Sequence, residues 1–175
     1  MFRIRRIYDD TLPLNKDTLR QVKRILRARF SSIPEEEIEG LGERLRNPFR
    51  SRFRSILLAA ENMRGRVLGF ALLLHEPELG FCFLDWIATL KGDTGGGVGG
   101  ALYEGVRREA SVLKVEGLFF ECLPDDEDLC GDKTLLKENR ARLRFYERYG
   151  GRPIVGTVYE APVNEGDTCM PHLVY

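Results

Sequence analysis

The densest chemistry in the sequence is a glycine run, Asp93-Thr94-Gly95-Gly96-Gly97-Val98-Gly99-Gly100, that follows a strand-like segment and opens a helix-like one. Residues without a Cβ let successive backbone N–H groups converge on one anion, and the positive end of the following helix adds attraction. The chemistry this suggests is the holding of a phosphate or pyrophosphate. A carboxylate, Glu121, stands further along among Phe119, Phe120 and Cys122, a setting that raises its pKa if the group is buried. His75 and His172 have no carboxylate or serine neighbour in sequence and are read as structural or surface residues. Cys82, Cys122, Cys130 and Cys169 form no C-x-x-C pair and no spaced Cys/His cluster, so neither a metal site nor a disulfide framework is expected.

Two general phosphate-binding patterns can be weighed against the run. The P-loop needs a lysine after its last glycine, and here Gly97 is followed by Val98 and Gly99. The dinucleotide fingerprint G-x-G-x-x-G does match at Gly95, Gly97 and Gly100, with Glu121 about 20 residues on. Its context differs, because Leu90 to Thr94 intervene and an antiparallel meander, not a βαβ unit, comes first. An NAD(P)-binding protein is therefore the weaker alternative.

The elements that must position this loop follow from periodicity. Phe2 to Tyr8 alternates as a half-buried strand, and Leu19, Val22, Ile25, Leu26 and Phe30 fall at helical spacing, with Asp17 as the expected cap. A second helix is expected from Pro34 to before Pro48. Ser55 to Glu61, Val67 to His75 and Phe81 to Thr89 read as three consecutive antiparallel strands. A helix from about Val98 to Val112 and a buried strand from Val115 to Leu123 come next. After an acidic loop, Leu135 to Tyr149 is helical, and Pro153 to Tyr159 and Pro171 to Tyr175 complete the sheet.

At 175 residues with 43% hydrophobic and 31% charged residues, the chain is expected to form one domain spanning 1–175 with its own core. The abrupt apolar end, His172 to Tyr175, is compatible with a domain cut from a longer chain. Formal net charge is zero, although the first 54 residues hold 14 Lys/Arg against 8 Asp/Glu. These cations are spread over helical and strand-like segments without a recognition motif, so nucleic acid is not an expected partner. Arginines interrupt the apolar residues after Met1 and no run approaches the ~18 apolar residues of a membrane span. The expected location is the cytoplasm.

Taken with its surroundings, the glycine run resembles that of the GNAT N-acetyltransferases. In that family a strand, a short loop and R/Q-x-x-G-x-G/A at a helix start bind the pyrophosphate of acetyl-CoA. Here Ile87-Ala88-Thr89 leads through Leu90 to Asp93 into Thr94-Gly95-Gly96-Gly97-Val98-Gly99, with Gly97 and Gly99 at the two small positions. Thr94 stands where the family usually has Arg or Gln, and Lys91 where it often has Pro. Downstream, Asn139 to Gly150 resembles the family's late signature N-x-x-A-x-x-(aromatic or Leu)-Y-E-K-x-G-F. Asn139 and Tyr146 keep its spacing, Glu147 and Gly150 match, and Arg142, Arg148 and Gly151 depart.

The resemblance implies an α/β (α+β) GNAT fold: a mixed, mostly antiparallel sheet of six to seven strands flanked by about four helices, splayed at its two central strands. It implies an acetyl-CoA-dependent N-acetyltransferase that passes the acetyl group directly to a primary amine of a small molecule or peptide. Cofactor contacts are expected from Ile87, Ala88, Thr89, Thr94, Gly95, Gly96, Gly97, Val98, Gly99, Gly100 and Asn139, with no metal. A homodimer is compatible with this reading. A catalytically silent acyl-CoA-binding module of the same fold is the rival.

Acetyl transfer needs a deprotonated amine, whose pKa is around 10.4 when free, and a proton for the departing thiolate. Asp85, on the strand face of Ile87 and Thr89, is the first candidate base, as an acidic residue there serves in some relatives. Glu121 is the second. Tyr146 resembles the tyrosine that protonates the thiolate. The acidic loop Asp125 to Asp128, with Asp132, offers attraction for a cationic amine.

Overall fold

The computed structural model describes residues 1–48, 50–90, 96–130, 132–156, 159 and 170–175. They contain seven strands and five helices, in a chain that divides into two compact units, Met1–Leu118 and Phe119–Tyr175.

In the first unit, β1 (Phe2–Ile7), β2 (Arg54–Asn62), β3 (Val67–Glu76) and β4 (Phe81–Thr89) form an antiparallel meander in the order β1-β2-β3-β4. The β2–β3 turn is closed by Asn62, whose side-chain Oδ1 accepts from the N–H groups of Arg64 and Arg66 at 2.9 and 3.0 Å. One face of this sheet is covered by α1 (Pro13–Arg29), α2 (Glu35–Glu39) and α3 (Leu41–Arg46). Leu19, Val22, Ile25 and Leu26 of α1 pack there with Ile38, Leu41 and Leu45, over Leu57, Phe70, Leu72 and Trp86. The Arg44 guanidinium lies 5.3 Å over the Trp86 ring. The other face carries α4 (Val98–Leu113), with Leu102, Val106 and Ala110 buried.

Two expectations about the helices are corrected. Asp17 does not cap α1, which starts four residues earlier because Pro13 fits a first helical turn; the Asp17 carboxylate instead holds Arg20 and Gln21 of the same helix. The single helix after Pro34 is two, broken at Gly40, where the chain turns and its N–H returns to Glu36. The described residues thus hold five helices, in line with the expected sheet flanked by about four.

Beneath α1 lies a polar network that an apolar pattern does not show. Glu61, 1% exposed, receives the Arg5 fork at 2.7 and 2.9 Å and the Thr18 hydroxyl at 2.7 Å, while Arg5 also donates to Asn15 at 2.6 Å. Burial pushes the Glu61 carboxyl up, but hydrogen bonds from Arg5 and Thr18 and the charges of Arg5 and Arg3 together hold it below its ordinary value.

The second unit holds the end of β5 (Gly117–Cys122), α5 (Lys133–Glu147), β6 (Pro153–Ile154) and β7 (His172–Val174). β7 pairs antiparallel with β5 (Phe120↔Val174) and with β6 (Pro153↔Val174). Asp132 caps α5, accepting from the N–H groups of Thr134 and Leu135. Cys82 and Cys122 are buried free thiols, whereas Cys130 is disulfide-bonded, which the cysteine spacing did not show.

Candidate active site

The phosphate-loop prediction is described from Gly96 onward; Thr94 and Gly95 lie outside the described residues. Gly97 is the N-cap of α4 with φ 72°, the left-handed region that costs a residue with a Cβ about 1–2 kcal/mol. Its carbonyl accepts the first helical bond, from the Ala101 N–H at 3.0 Å. The N–H groups of Val98, Gly99 and Gly100 therefore precede the helical ladder, with no side-chain cap and no acid in the first turn. A helix start of this kind, lined by Gly96, Gly97, Gly99 and Gly100, presents bare donors and the positive dipole end to an anion.

The first turn of α4 sits on the end of β4, where a Cβ built at Gly99 would lie 3.9 Å from Thr89 Cγ2. Ile87 and Thr89 are half-buried, and Ala88 between them is in the core under α1. The first unit thus brings Ile87, Thr89 and Gly96 to Gly100 to one end of one strand. Replacing Gly97 by Val is expected to destabilise the fold by about 1–2 kcal/mol. Gly97→Asn, which tolerates left-handed backbone, should lose less; thermal melts of both variants check the order.

Asp85 occupies an irregularity that the sequence did not reveal. Leu73 pairs with Leu84 and Leu72 with Trp86, so Asp85 is the extra residue of a β-bulge. The bulge changes which residues face which helix. Before it, Cys82 feels the charge of Glu109 on α4; after it, Trp86 and Ala88 join the core under α1 to α3. Asp85 itself is half-buried at the point of the switch.

Three predicted residues lie in the second unit. Tyr146 is 5% exposed, its ring 4.2 Å from that of Phe120 and 5.0 Å from that of Phe145. The departure at Gly151 has a local reason: a Cβ there would come within 3.3 Å of the Tyr146 carbonyl oxygen and 3.5 Å of the Phe120 ring. Asn139 is 1% exposed; its Nδ2 donates to the Pro124 carbonyl at 2.8 Å, while its Oδ1 is buried without a hydrogen-bond partner among the described residues. A buried acceptor left in this state costs free energy until a donor reaches it.

Glu121, despite its apolar neighbours in sequence, is exposed, and the Tyr159 hydroxyl donates to it at 2.7 Å. Burial, together with the hydrogen bond to this carboxylate and its charge, pushes the Tyr159 phenol up to about 12. The acidic loop is locally engaged: Asp126 accepts from the Asp128 N–H at 2.9 Å, and Glu127 pairs with Arg140 at 3.2 Å. Among the described residues there is no cluster able to hold a metal ion and no helix long and apolar enough to cross a membrane.

No protein-family model and no curated protein matches the chain. Solved structures do. A GNAT-family protein from Desulfovibrio desulfuricans is 22% identical, with 99% of this chain and 97% of that one covered and a TM-score of 0.66. An aminoglycoside 6′-N-acetyltransferase in complex with coenzyme A is 16% identical, over 98% and 94% of the two chains, with a TM-score of 0.70. The NAA60 protein of Arabidopsis thaliana in complex with acetyl-CoA is 15% identical, over 100% and 98%, with a TM-score of 0.65. Likeness of this extent at such identities is likeness of architecture, and it establishes that the chain has the fold of the GNAT acetyltransferases.

Proposed function

We propose that the protein is an acetyl-CoA-dependent N-acetyltransferase acting on a primary amine of a small molecule or peptide. The observation that carries this reading is the uncapped, glycine-lined start of α4 seated on Thr89 at the end of β4, in a fold whose solved neighbours include complexes with coenzyme A and acetyl-CoA. The backbone N–H groups from Gly96 to Gly100 would hold the pyrophosphate, with Thr94 and Gly95 completing the loop. Ile87, Ala88 and Thr89 would offer backbone groups to the pantetheine. Asn139 would contribute its unpartnered Oδ1 to a donor of the same ligand. Acetyl-CoA supplies an activated acyl group on a thiolate leaving group.

In this reading the protein's own side chains move two protons. Asp85, displaced from the regular strand by its bulge, accepts the proton of the incoming ammonium, directly or through a water. Tyr146 donates its phenolic proton to the departing thiolate, a transfer between groups of similar acidity, and the second proton that the nitrogen sheds as the amide forms restores the phenol by way of water. Glu121 is the weaker candidate base, because it is exposed and already accepts from Tyr159. The same picture gives a soluble cytoplasmic enzyme, with a homodimer as a compatible assembly.

Amine-dependent thiol release from acetyl-CoA, measured against pH, tests the assignment. Asp85→Asn is expected to lower turnover about tenfold and to flatten the fall in rate at low pH, the limb on which a base becomes protonated. Glu121→Gln should stay within about twofold of the parent. The reverse order would move the base to Glu121. CoA binding without release for any amine would favour a silent acyl-CoA-binding module instead.

A further inference from the structure

Three cations on α1 have an acidic partner: Arg20 pairs with Asp17, Lys23 with Glu39, and Arg27 with both Glu35 and Glu39. Arg24 and Arg29, on the same helix, do not. Together with Arg66, just before β3, they rim a concavity of about 190 Å³ lined also by Ile25, Val67 and Leu90, and among the described residues no Asp or Glu lines it. Among the described residues, none of these three guanidinium groups has an ion pair or a side-chain hydrogen bond, and all three residues are exposed.

The rim is assembled by a specific stitch. Gln21 donates to the Gly65 carbonyl at 3.1 Å and accepts from the Val67 N–H at 2.9 Å, and Asp17 holds the same amide at 2.8 Å. This fixes the β2–β3 turn, and with it Arg66, against α1. Leu90, tied to the Leu68 carbonyl at 2.8 Å, is the last described residue before the glycine run. Three like charges around one hollow repel one another, and an anion relieves that repulsion. Guanidinium forks match phosphate oxygens in geometry as well as charge. The hollow is below the roughly 300 Å³ at which pockets for drug-sized ligands begin, so it suits one phosphate group and not a whole dinucleotide.

We infer that Arg24, Arg29 and Arg66 form a binding site for a phosphate dianion, and that its source is the 3′-phosphate of CoA. The choice of source rests on the function proposed above; the phosphate site itself does not. Equilibrium binding of CoA, dephospho-CoA and inorganic phosphate is compared for the parent protein and for Arg24→Gln/Arg66→Gln, whose melting temperature is checked for an intact fold. The parent should prefer CoA to dephospho-CoA about tenfold, the size of one charge-assisted contact, and the double variant should lose that preference while keeping its affinity for dephospho-CoA.

Binding of inorganic phosphate by the parent and not by the variant, with CoA and dephospho-CoA bound equally by both, would support the site and assign it to a separate phosphate. Arg24→Lys/Arg66→Lys should retain part of whichever effect is seen. Phosphate binding and cofactor preference both indifferent to these arginines would overturn the inference. If neither CoA compound binds the parent, the acetyltransferase reading fails, and the inorganic phosphate comparison alone decides the pocket.

Discussion

Tyr146→Phe is expected to lower amine-dependent turnover about 10²-fold while leaving CoA affinity nearly unchanged, the range lost when a general acid is removed. The substitution deletes one oxygen and keeps the ring. Its contacts with Phe120 and Phe145 are ring contacts, so packing of the second unit should survive. A single-turnover measurement separates loss of chemistry from loss of binding. Tyr146→Leu should additionally destabilise the unit, because it removes the aromatic partner of the buried Phe120. Equal losses of kcat/KM and kcat in the Phe variant would assign the hydroxyl to the transition state.

Glu61→Gln is expected to have the largest effect on stability, about 3 kcal/mol, the cost of leaving one partner of a buried ion pair uncompensated. For a chain of this length that corresponds to a fall in melting temperature of roughly 6–12 °C. The parent should also show a pH dependence that the variant lacks. Because the folded carboxyl titrates below its unfolded value, its contribution is fully present above the unfolded pKa and is lost as pH falls through the folded one. Thermal melts of both proteins between neutral and acidic pH check this: the curves should converge at the acid end.

Local pattern made the meander legible. β2, β3 and β4 are apolar runs broken by Asn62 to Arg66 and by Pro77 to Gly80, and a pattern of that kind leaves few alternatives. The start of α4 was equally visible, since few elements other than a loop meeting a helix use so many glycines. What was hidden depended on partners distant in sequence. The bulge at Asp85 is a mismatch between two strands and leaves no mark on either strand alone. Glu61 reads as a strand-end surface acid until Arg5 and Thr18, from two other elements, are brought to it.

The candidate site divides in the same way. Gly97 and Gly99 could be read because their role is local, in backbone conformation and in close approach. Glu121 stands among apolar neighbours in sequence, a setting compatible with burial, but strand alternation turns it to solvent while Phe120 and Cys122 go inward. Arg24 and Arg29 were counted only as part of the basic first 54 residues, and Arg66, beyond them, was not singled out. Their grouping arises from the α1 surface and the β2–β3 turn that Gln21 draws together.

The central claim is transfer of an acetyl group to an amine, and mass analysis of the products formed from isotopically labelled acetyl-CoA and a panel of primary amines tests it most directly. The account predicts a labelled N-acetyl product from at least one amine, formed at a rate that falls about 10²-fold in Tyr146→Phe. Tight CoA binding with no labelled amine product, and a background thiol release that Tyr146→Phe leaves unchanged, would contradict it.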